Sequence, residues 1–588
     1  MRTIAHVTHE AVQKVGGIGA VLQGLLTSKA YQAVDQRTIL IGPLFPVDGE
    51  GRLGPYGEVL YSSLDGITQH PMSEALDRVR REFHVGIVYG HRTYIDPHTG
   101  AKVSPEVVLI DTSRMDLGRV NAFKGELWAN YGIDSKRYED SWEYDLYVKL
   151  APPAIAVLKA LGAVDYGGEC VILAHEFMGM PTALAGKLDR SGHFRAIFYA
   201  HEVASMRRIV EGHPGHDVTF YNVLSSAIQN GRYVEDVFGD QHGYYRHALV
   251  EAARFCDRIF AVGDYVVKEL RFMGPAFADV AIDTVYNGVP AEKITLDQRR
   301  ISQKRLKDYA EILLGDRPDY IFTHVTRLVV SKALWRDLRV LEQLEPAFRK
   351  AGKSAVLFVL STEIPSRRPE DIRKMERWWK WPVAHREVDP DLSHGEALFY
   401  QGVQEFNARS RNIKIVYVNQ FGWERAVCGD RMPADMTFMD IRRGSDLEFG
   451  QSIYEPFGIA PLEPLTFGAV CVVSEVSGCA GFAQKAIGGE QVRNLILTDY
   501  CDLGGQEMSE QELLAIGQEW RDEQERRVAA QVAQRILAAL PTDDASAKAL
   551  LTKGYEIARR LSWEVVAGEF VLPGIDSVCH RPRVVRVA

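Results

Sequence analysis

Val285-Tyr286-Asn287-Gly288-Val289-Pro290 divides the sequence into two series of the same kind. Before it stand RTIAHVTHE (2–10), QRTILIG (36–42), EVVLIDTS (106–113), CVILAHE (170–176), RAIFYAHE (195–202) and DRIFAVG (257–263). Each is a short run rich in Ile, Val or Phe that ends in polar or turn residues, the pattern of a buried strand. Between the runs lie helical patterns such as YVKLAPPAIAVLKALGA (147–163) and YYRHALVEAARFCD (244–257). After VYNGVP the alternation restarts with YIFTHVTRLV (320–329), SAVLFVLST (354–362), IKIVYVNQF (413–421), DLEFGQS (446–452) and AVCVVSE (469–475). Strands that alternate with helices predict parallel sheets covered on both faces. The sequence is therefore read as α/β, with two Rossmann-like domains.

The expected boundaries are 1–290 for the first domain and 291–560 for the second. The remaining 561–588 form a segment that crosses back to the first domain. The block from 366 to 410 is charged, helix-prone and longer than an ordinary connection. It reads as a helical insertion in the second domain. Trp378, Trp379 and Trp381 lie in it. Exposed tryptophans suit an interface, so a homo-oligomer built through this segment is expected.

Composition narrows the function. The 588 residues are 46% apolar and 25% charged, which excludes disordered and low-complexity chains. The 69 basic and 78 acidic residues give a formal charge of −9. That balance argues against a nucleic-acid binder, whose footprint is basic. Seven cysteines are scattered without Cys-x-x-Cys or Cys/His ligand spacing, which predicts no zinc site and fits a reduced compartment. The opening MRTIAHVTHEAV lacks a basic-then-apolar leader, and no apolar run reaches membrane length. The expectation is a cytoplasmic protein with no membrane partner.

Three stretches carry chemistry. Lys14-Val15-Gly16-Gly17-Ile18-Gly19 follows the first strand and opens a helix. Glycines there let amides approach a ligand at the positive end of the helix, and Lys14 adds a charge for phosphate. The spacing fits neither a Walker loop nor Gly-x-Gly-x-x-Gly. Arg327 and Lys332 stand five residues apart beyond the first strand of the second series, at the edge where open α/β sheets bind ligands. An arginine fork with a mobile lysine suits a diphosphate. In Glu455-Pro456-Phe457-Gly458-Ile459-Ala460-Pro461-Leu462-Glu463 two carboxylates eight apart flank a Gly/Pro turn, just before a strand. Pro461 suits a first helical turn, which places Glu463 inside that turn. Arg442 and Arg443 read as a surface pair. His175 and His201 each end a strand, and lone histidines there serve structure more often than substrate. Arg207 follows His201 by six residues, and Phe220-Tyr221-Asn222-Val223-Leu224 comes after.

Together these residues resemble the glycogen synthases and, more widely, the retaining glycosyltransferases of the GT-B fold. KVGGI (14–18) is similar to their donor-phosphate loop, and HEF (175–177) to the His-Glu-Trp of the animal and fungal enzymes. The His201–Arg207 spacing, FYNVL, YRHALVEAARFCDRIFAV and VYNGVP resemble further segments of that branch. Arg327 and Lys332 match its paired phosphate-binding cations at the bacterial spacing, Glu455 and Glu463 its Glu-x7-Glu signature, and EVSGCAGF (475–482) the loop that follows. Gly422–Asp430 and 364–412 have no counterpart, and the arginine-rich regulatory helix of the animal and fungal enzymes is not evident.

The resemblance implies two Rossmann-like domains facing each other across a deep cleft, with the acceptor on the first and the nucleotide-sugar on the second. It implies transfer of glucose, with retention, from UDP- or ADP-glucose to the non-reducing end of an α-1,4-glucan. His201, Arg327, Lys332 and Glu455 are the implied catalytic residues. The implied substrate contacts are Lys14, Gly16, Gly17, His175, Glu176, Arg207, Asn287, Tyr454, Phe457, Gly458 and Glu463. No metal or other cofactor is expected, because the cations neutralise the diphosphate. Transferases with sucrose-, trehalose- or glycoconjugate-forming acceptors, and a nucleotide-sugar epimerase, remain open.

Overall fold

The structure, a computed structural model, describes residues 2–12, 16–45, 51–364 and 366–579. The chain divides into two compact units. The first comprises the chain to Arg207, then Ala227–Gly288, and again from Trp563 onward; the second comprises Arg208–Ser226 and Val289–Ser562. Residues 208–226 thus belong with the second unit and not with the first, where the sequence reading places them.

The first unit is built on a nine-stranded sheet. Its strands are β1 (Arg2–Val7), β2 (Gln36–Pro43), β3 (Gly57–Ser62), β4 (Gly86–Arg92), β7 (Glu106–Asp111), β8 (Cys170–His175), β9 (Phe194–Ala200), β10 (Arg258–Ala261) and β11 (Ile282–Thr284). A separate hairpin pairs β5 (Tyr94–Ile95) with β6 (Lys102–Val103). The order is β11-β10-β9-β8-β1-β2-β7-β4-β3. All six runs expected from the sequence are strands in this sheet. The expectation of a parallel sheet holds from β11 to β7, but β3 and β4 pair antiparallel and extend one edge. Their residues, GEVLYS and GIVYGHR, carry glycine and charge, so they lack the dense apolar signature of a central strand.

The second unit is built on a six-stranded parallel sheet. It comprises β12 (Tyr320–Val325), β13 (Ala355–Leu360), β14 (Ile413–Val418), β15 (Leu447–Gly450), β16 (Val470–Ser474) and β17 (Leu495–Thr498), in the order β14-β13-β12-β15-β16-β17. Successive strand residues point to opposite faces. Phe322, Leu357, Val359, Ile413 and Ile415 join one core with the helices Trp335–Ala351, His394–Arg409 and Gln518–Ala539. Ile321, Val356, Phe358, Val416 and Val418 join a second core on the other face, with the helix Leu296–Leu314. Both faces are covered, which is why these strands read as unbroken apolar runs.

The block 366–410 packs within the second unit. It carries the helices Pro369–Trp379 and His394–Arg409 between β13 and β14. Leu392, Tyr400, Val403 and Phe406 belong to one core, and Ile372, Met375 and Trp381 to the other. The second helix is the crossover that joins two neighbouring parallel strands. Trp381 is fully buried and its indole donates to Asn419 Oδ1 at 2.8 Å. Trp379 donates to Asp391 Oδ2 at 2.7 Å. Trp378 alone of the three is exposed, at 69%. Two of the three rings on which the oligomer expectation rests therefore pack on their own unit.

Candidate active site

Strand order places a switch point in each sheet. In the first, β1 lies between β2 and β8, so the chain leaves β1 in one direction and returns to its other side at β8. In the second, β12 lies between β13 and β15 in the same way. Carboxyl ends of strands at such points are where open α/β sheets hold ligands.

At the first switch point stand three histidines on adjacent strands. His6 lies in β1, His175 ends β8 and His201 follows β9. His6 Nδ1 is 2.9 Å from His175 Nε2, and His175 Nδ1 is 2.8 Å from His201 Nε2. The rings of His175 and His201 stack with centroids 5.1 Å apart. At the inner end, His6 Nε2 is 3.2 Å from the Tyr31 hydroxyl, which is 3.2 Å from Thr38 Oγ1. Burial pushes His6 and His201 down to about 3, and burial with its two imidazole neighbours holds His175 well below the usual histidine range. All three are neutral at pH 7. His175 is fully buried and both its nitrogens are taken, which corrects its expected role as a substrate contact.

Glu176, at the start of the helix Glu176–Leu188, is also buried, in the left-handed region at φ +61°. A non-glycine residue persists there only when its surroundings fix it. One oxygen accepts the Glu202 amide at 2.6 Å, while Oε2 has no partner among the described residues. Burial, and then the Glu202 carboxylate, holds Glu176 well above the usual carboxylate range. Arg207 pairs with Glu202 at 3.0 Å.

Lys14 lies outside the described residues. The helix Gly17–Thr27 begins after Gly16. A β-carbon at Gly16 would come within 2.9 Å of Glu10 Oε1, whereas one at Gly17 would meet nothing within 4 Å. The Gly19 amide donates to Glu10 Oε2 at 2.8 Å. The Gly19 amide and the space beside Gly16 are thus taken up by Glu10, a carboxylate of the same unit. Asn287 is buried, and its Oδ1 has no partner among the described residues. The next residue, Gly288, lies against the Trp563 ring: a β-carbon there would meet that ring at 2.6 Å.

At the second switch point the groups are charged. Lys332, in the short turn Val330–Lys332 after β12, forms an ion pair with Glu455 on the loop after β15. The backbone ties the two loops, with the Ile453 and Tyr454 amides reaching Ser331 O at 2.9 and 3.3 Å. Arg327 is exposed, and its side chain has no partner among the described residues. Tyr454 and Phe457 are buried. Gly458 has φ +89°, and a β-carbon there would come within 2.8 Å of Glu455 Cγ, so only glycine lets this turn close over the carboxylate. Phe457 O accepts the Cys479 amide at 2.9 Å and Glu455 O the Gly478 amide at 3.2 Å, which joins the turn to the helix Gly478–Ile487. Glu463 lies in the first turn of the 3₁₀ helix Ala460–Phe467, with Pro461 near its start as the sequence predicts.

Several supports carry no short motif. Arg442, expected on the surface, is 1% exposed. It pairs with Glu448 at 3.2 Å and Glu463 at 3.0 Å and donates to the Ala460 carbonyl, so it clamps the turn that bears Glu463. Buried Arg336 forks onto Asp217 at 2.8 and 2.9 Å and meets Glu525 at 2.8 Å. It also donates to Gln451 O at 3.1 Å, which fixes the start of the Glu455 loop. His324 pairs with Asp337 at 2.5 Å; burial opposes its charge, but the Asp337 carboxylate outweighs burial and raises its pKa. Arg442 and Arg336 lie in helices and His324 lies inside β12, so no local spacing in the sequence marks them.

Among the described residues one group has the composition of a metal site: Glu235, His242 and His247 in the first unit. His242 Nδ1 lies 2.7 Å from Glu235 and Nε2 lies 3.2 Å from Glu251. Burial opposes the imidazolium, but those two carboxylates raise the His242 pKa. No described helix is long and apolar enough to cross a membrane.

The chain is an α/β protein with two parallel-sheet, Rossmann-like domains, and it matches GT-B glycosyltransferase structures. One similar solved structure is the catalytic domain of starch synthase IV from Arabidopsis thaliana, bound to ADP and acarbose. The two are 13% identical over 98% of this chain and 99% of that one, with a TM-score of 0.50. Another is the N-terminal domain of trehalose-6-phosphate phosphatase from Candida albicans, 12% identical over 98% of this chain and 96% of that one, with a TM-score of 0.51. At such identities the likeness establishes the fold. No protein-family model matches the sequence, and no curated protein matches it.

Proposed function

We propose that this protein is a retaining glucosyltransferase of the glycogen synthase kind, which moves glucose from UDP- or ADP-glucose to the non-reducing end of an α-1,4-glucan. The observation that carries this reading is the Lys332–Glu455 pair at the second switch point, with Arg327 unpartnered beyond the same strand. Breaking a sugar–diphosphate bond leaves negative charge on the phosphate and an oxocarbenium-like sugar. Cations preorganised at the leaving group, and a carboxylate near the sugar, oppose both charges. Lys332 and Arg327 take the diphosphate. Glu455 lies beside the donor sugar, and Glu463 holds the ribose from a turn that Arg442 clamps.

In this reading the second unit binds the donor through Tyr454, Phe457 and Gly458 as well. The first unit holds acceptor and sugar through His201, Arg207, Glu176, Asn287, Gly16 and Gly17. All seven cysteines are free thiols, which supports a reduced, cytoplasmic setting.

The test is a panel of UDP-glucose and ADP-glucose, each with glycogen, glucose 6-phosphate, fructose 6-phosphate or no acceptor. Glucose incorporated into glycogen, undiminished by EDTA, is the expected result. Incorporation only into a sugar phosphate moves the protein to the disaccharide-forming transferases. An epimerised donor without transfer makes it an epimerase, and loss of activity with EDTA that magnesium restores refutes the roles given to the cations.

A further inference from the structure

Tyr31, His6, His175 and His201 form one hydrogen-bonded chain whose outer member is the residue expected to face substrate. His6 and His175 are fully buried and Tyr31 is 4% exposed, while His201 is half-buried. Every contact in the chain, from Tyr31 outward, lies between 2.8 and 3.2 Å. His201 Nδ1 makes no hydrogen bond with any described residue. A neutral imidazole carries one donor and one acceptor, so each ring dictates the tautomer of the next. Only two arrangements satisfy every link. In one, the Tyr31 hydroxyl donates inward to His6 and each ring donates from Nδ1, which leaves His201 with an outward Nδ1–H. In the other every link reverses, and His201 presents a bare Nδ1.

We infer that Tyr31, His6 and His175 are positioning residues that fix His201 as the Nδ1–H tautomer, so that the first switch point presents an uncharged N–H donor. The direction follows from the chemistry of the inner end. A phenol is a much stronger hydrogen-bond donor than a neutral imidazole, and the Tyr31 oxygen can itself accept from Thr38 Oγ1 at 3.2 Å. Donation from Tyr31 to His6 therefore sets the chain. A neutral donor selects an uncharged oxygen, such as a sugar hydroxyl, over a phosphate, which recruits cations. This last step rests on the glucosyltransferase reading; the tautomer does not. Burial supports the picture, since it keeps all three rings neutral across the physiological range.

The experiment is ¹⁵N NMR of the full chain with its histidines selectively labelled, without substrate. His201→Gln, His175→Gln and His6→Gln each remove one signal and so assign the three among the 17 histidines. The expected result is Nδ1–H for His6, His175 and His201 from pH 5 to pH 8. That pattern is diagnostic, because an isolated neutral histidine prefers Nε2–H. Tyr31→Phe should bring Nε2–H character into His201, a residue that Tyr31 does not touch, whereas Thr38→Val should leave it unchanged. An Nε2–H or protonated His201 in the wild type overturns the proposal and needs no variant to fold. An unchanged His201 in folded Tyr31→Phe also overturns it. In the transfer assay Tyr31→Phe should lower kcat/KM by about tenfold, the effect of one misdirected hydrogen bond. If no acceptor is glucosylated at all, the functional reading fails while the tautomer result stands on its own.

Discussion

The two switch points are built from opposite materials. At the first, three stacked histidines are neutral and joined ring to ring, and the neighbouring Glu176 is pushed toward its protonated form. At the second, Lys332–Glu455, Arg442–Glu463–Glu448 and Arg336–Asp217–Glu525 are all ion pairs. The local strand arrangement is alike at both switch points, so the difference lies in the residues at the strand ends. A neutral edge can read hydroxyls without recruiting counter-ions. A charged edge can meet a leaving group whose charge grows during reaction. One chain thus carries a neutral edge at one switch point and a charged edge at the other.

The largest effect that would break this division is expected at the charged edge. Lys332→Ala should lower kcat by on the order of a hundredfold or more, with a smaller change in donor KM, because its contact strengthens as the bond breaks. Glu455→Ala should act similarly. Since the two side chains are paired, the double variant should lose less than the product of the single losses. Steady-state kinetics on the three folded variants decides this, and near-normal kcat in both single variants would move the chemistry elsewhere.

The next effect concerns stability. Arg442→Met removes the partner of Glu448, which is fully buried. Truncating one member of a buried pair typically costs about 3–5 kcal/mol, because the remaining charge has no water. Urea unfolding should show a loss of that order. A loss below about 1 kcal/mol would mean that Glu448 finds another partner and that Arg442 does not clamp the Glu463 turn.

These expectations also separate what the sequence disclosed from what it hid. Buried parallel strands were legible because residues apolar on both faces leave an unbroken run, as in AVLFVL of β13. The edge strands β3 and β4 were missed because glycine and charged residues interrupt them. The turn that carries Glu455, Gly458 and Glu463 was legible because a glycine–proline spacing is a local signal. The histidine chain was not, because His6, His175 and His201 lie 169 and 26 residues apart and only the strand order β1-β8-β9 brings them together. Trp381 misled for a related reason: three tryptophans in a charged helix look like a surface, and the crossover between β13 and β14 turns one of them inward.

A smaller effect tests the neutral edge by pH. Burial first, then Glu202, raises the Glu176 pKa in the folded state. The unfolded chain therefore loses this proton at a lower pH than the native protein. Native stability falls as pH rises through the ordinary carboxylate range and beyond, until the folded pKa is reached. Glu176→Gln keeps an oxygen for the Glu202 amide and removes the ionisation. It should stabilise the protein more at pH 8 than at pH 5 in urea unfolding; an equal change at both pH values would show that Glu176 is ionised at little cost.

The smallest effect is expected one residue from one of the largest. Arg443 is adjacent to Arg442, and the two look alike in sequence. Arg442 is shut between Glu448 and Glu463, but the Arg443 side chain is 30% exposed, where it pairs with Glu292 at 2.6 Å. Water can solvate either partner if the other is lost, so a pair of this kind contributes roughly 0–1 kcal/mol. Arg443→Ala should therefore shift the urea midpoint little and leave kcat and donor KM within about twofold of wild type. It also serves as a control for Arg442→Met, since both variants remove one positive charge from the same turn. If the two lose equal stability, net charge is responsible and burial is not. A large loss with Arg442→Met and almost none with Arg443→Ala would locate the effect in the desolvated pair alone, as the two side chains' surroundings require.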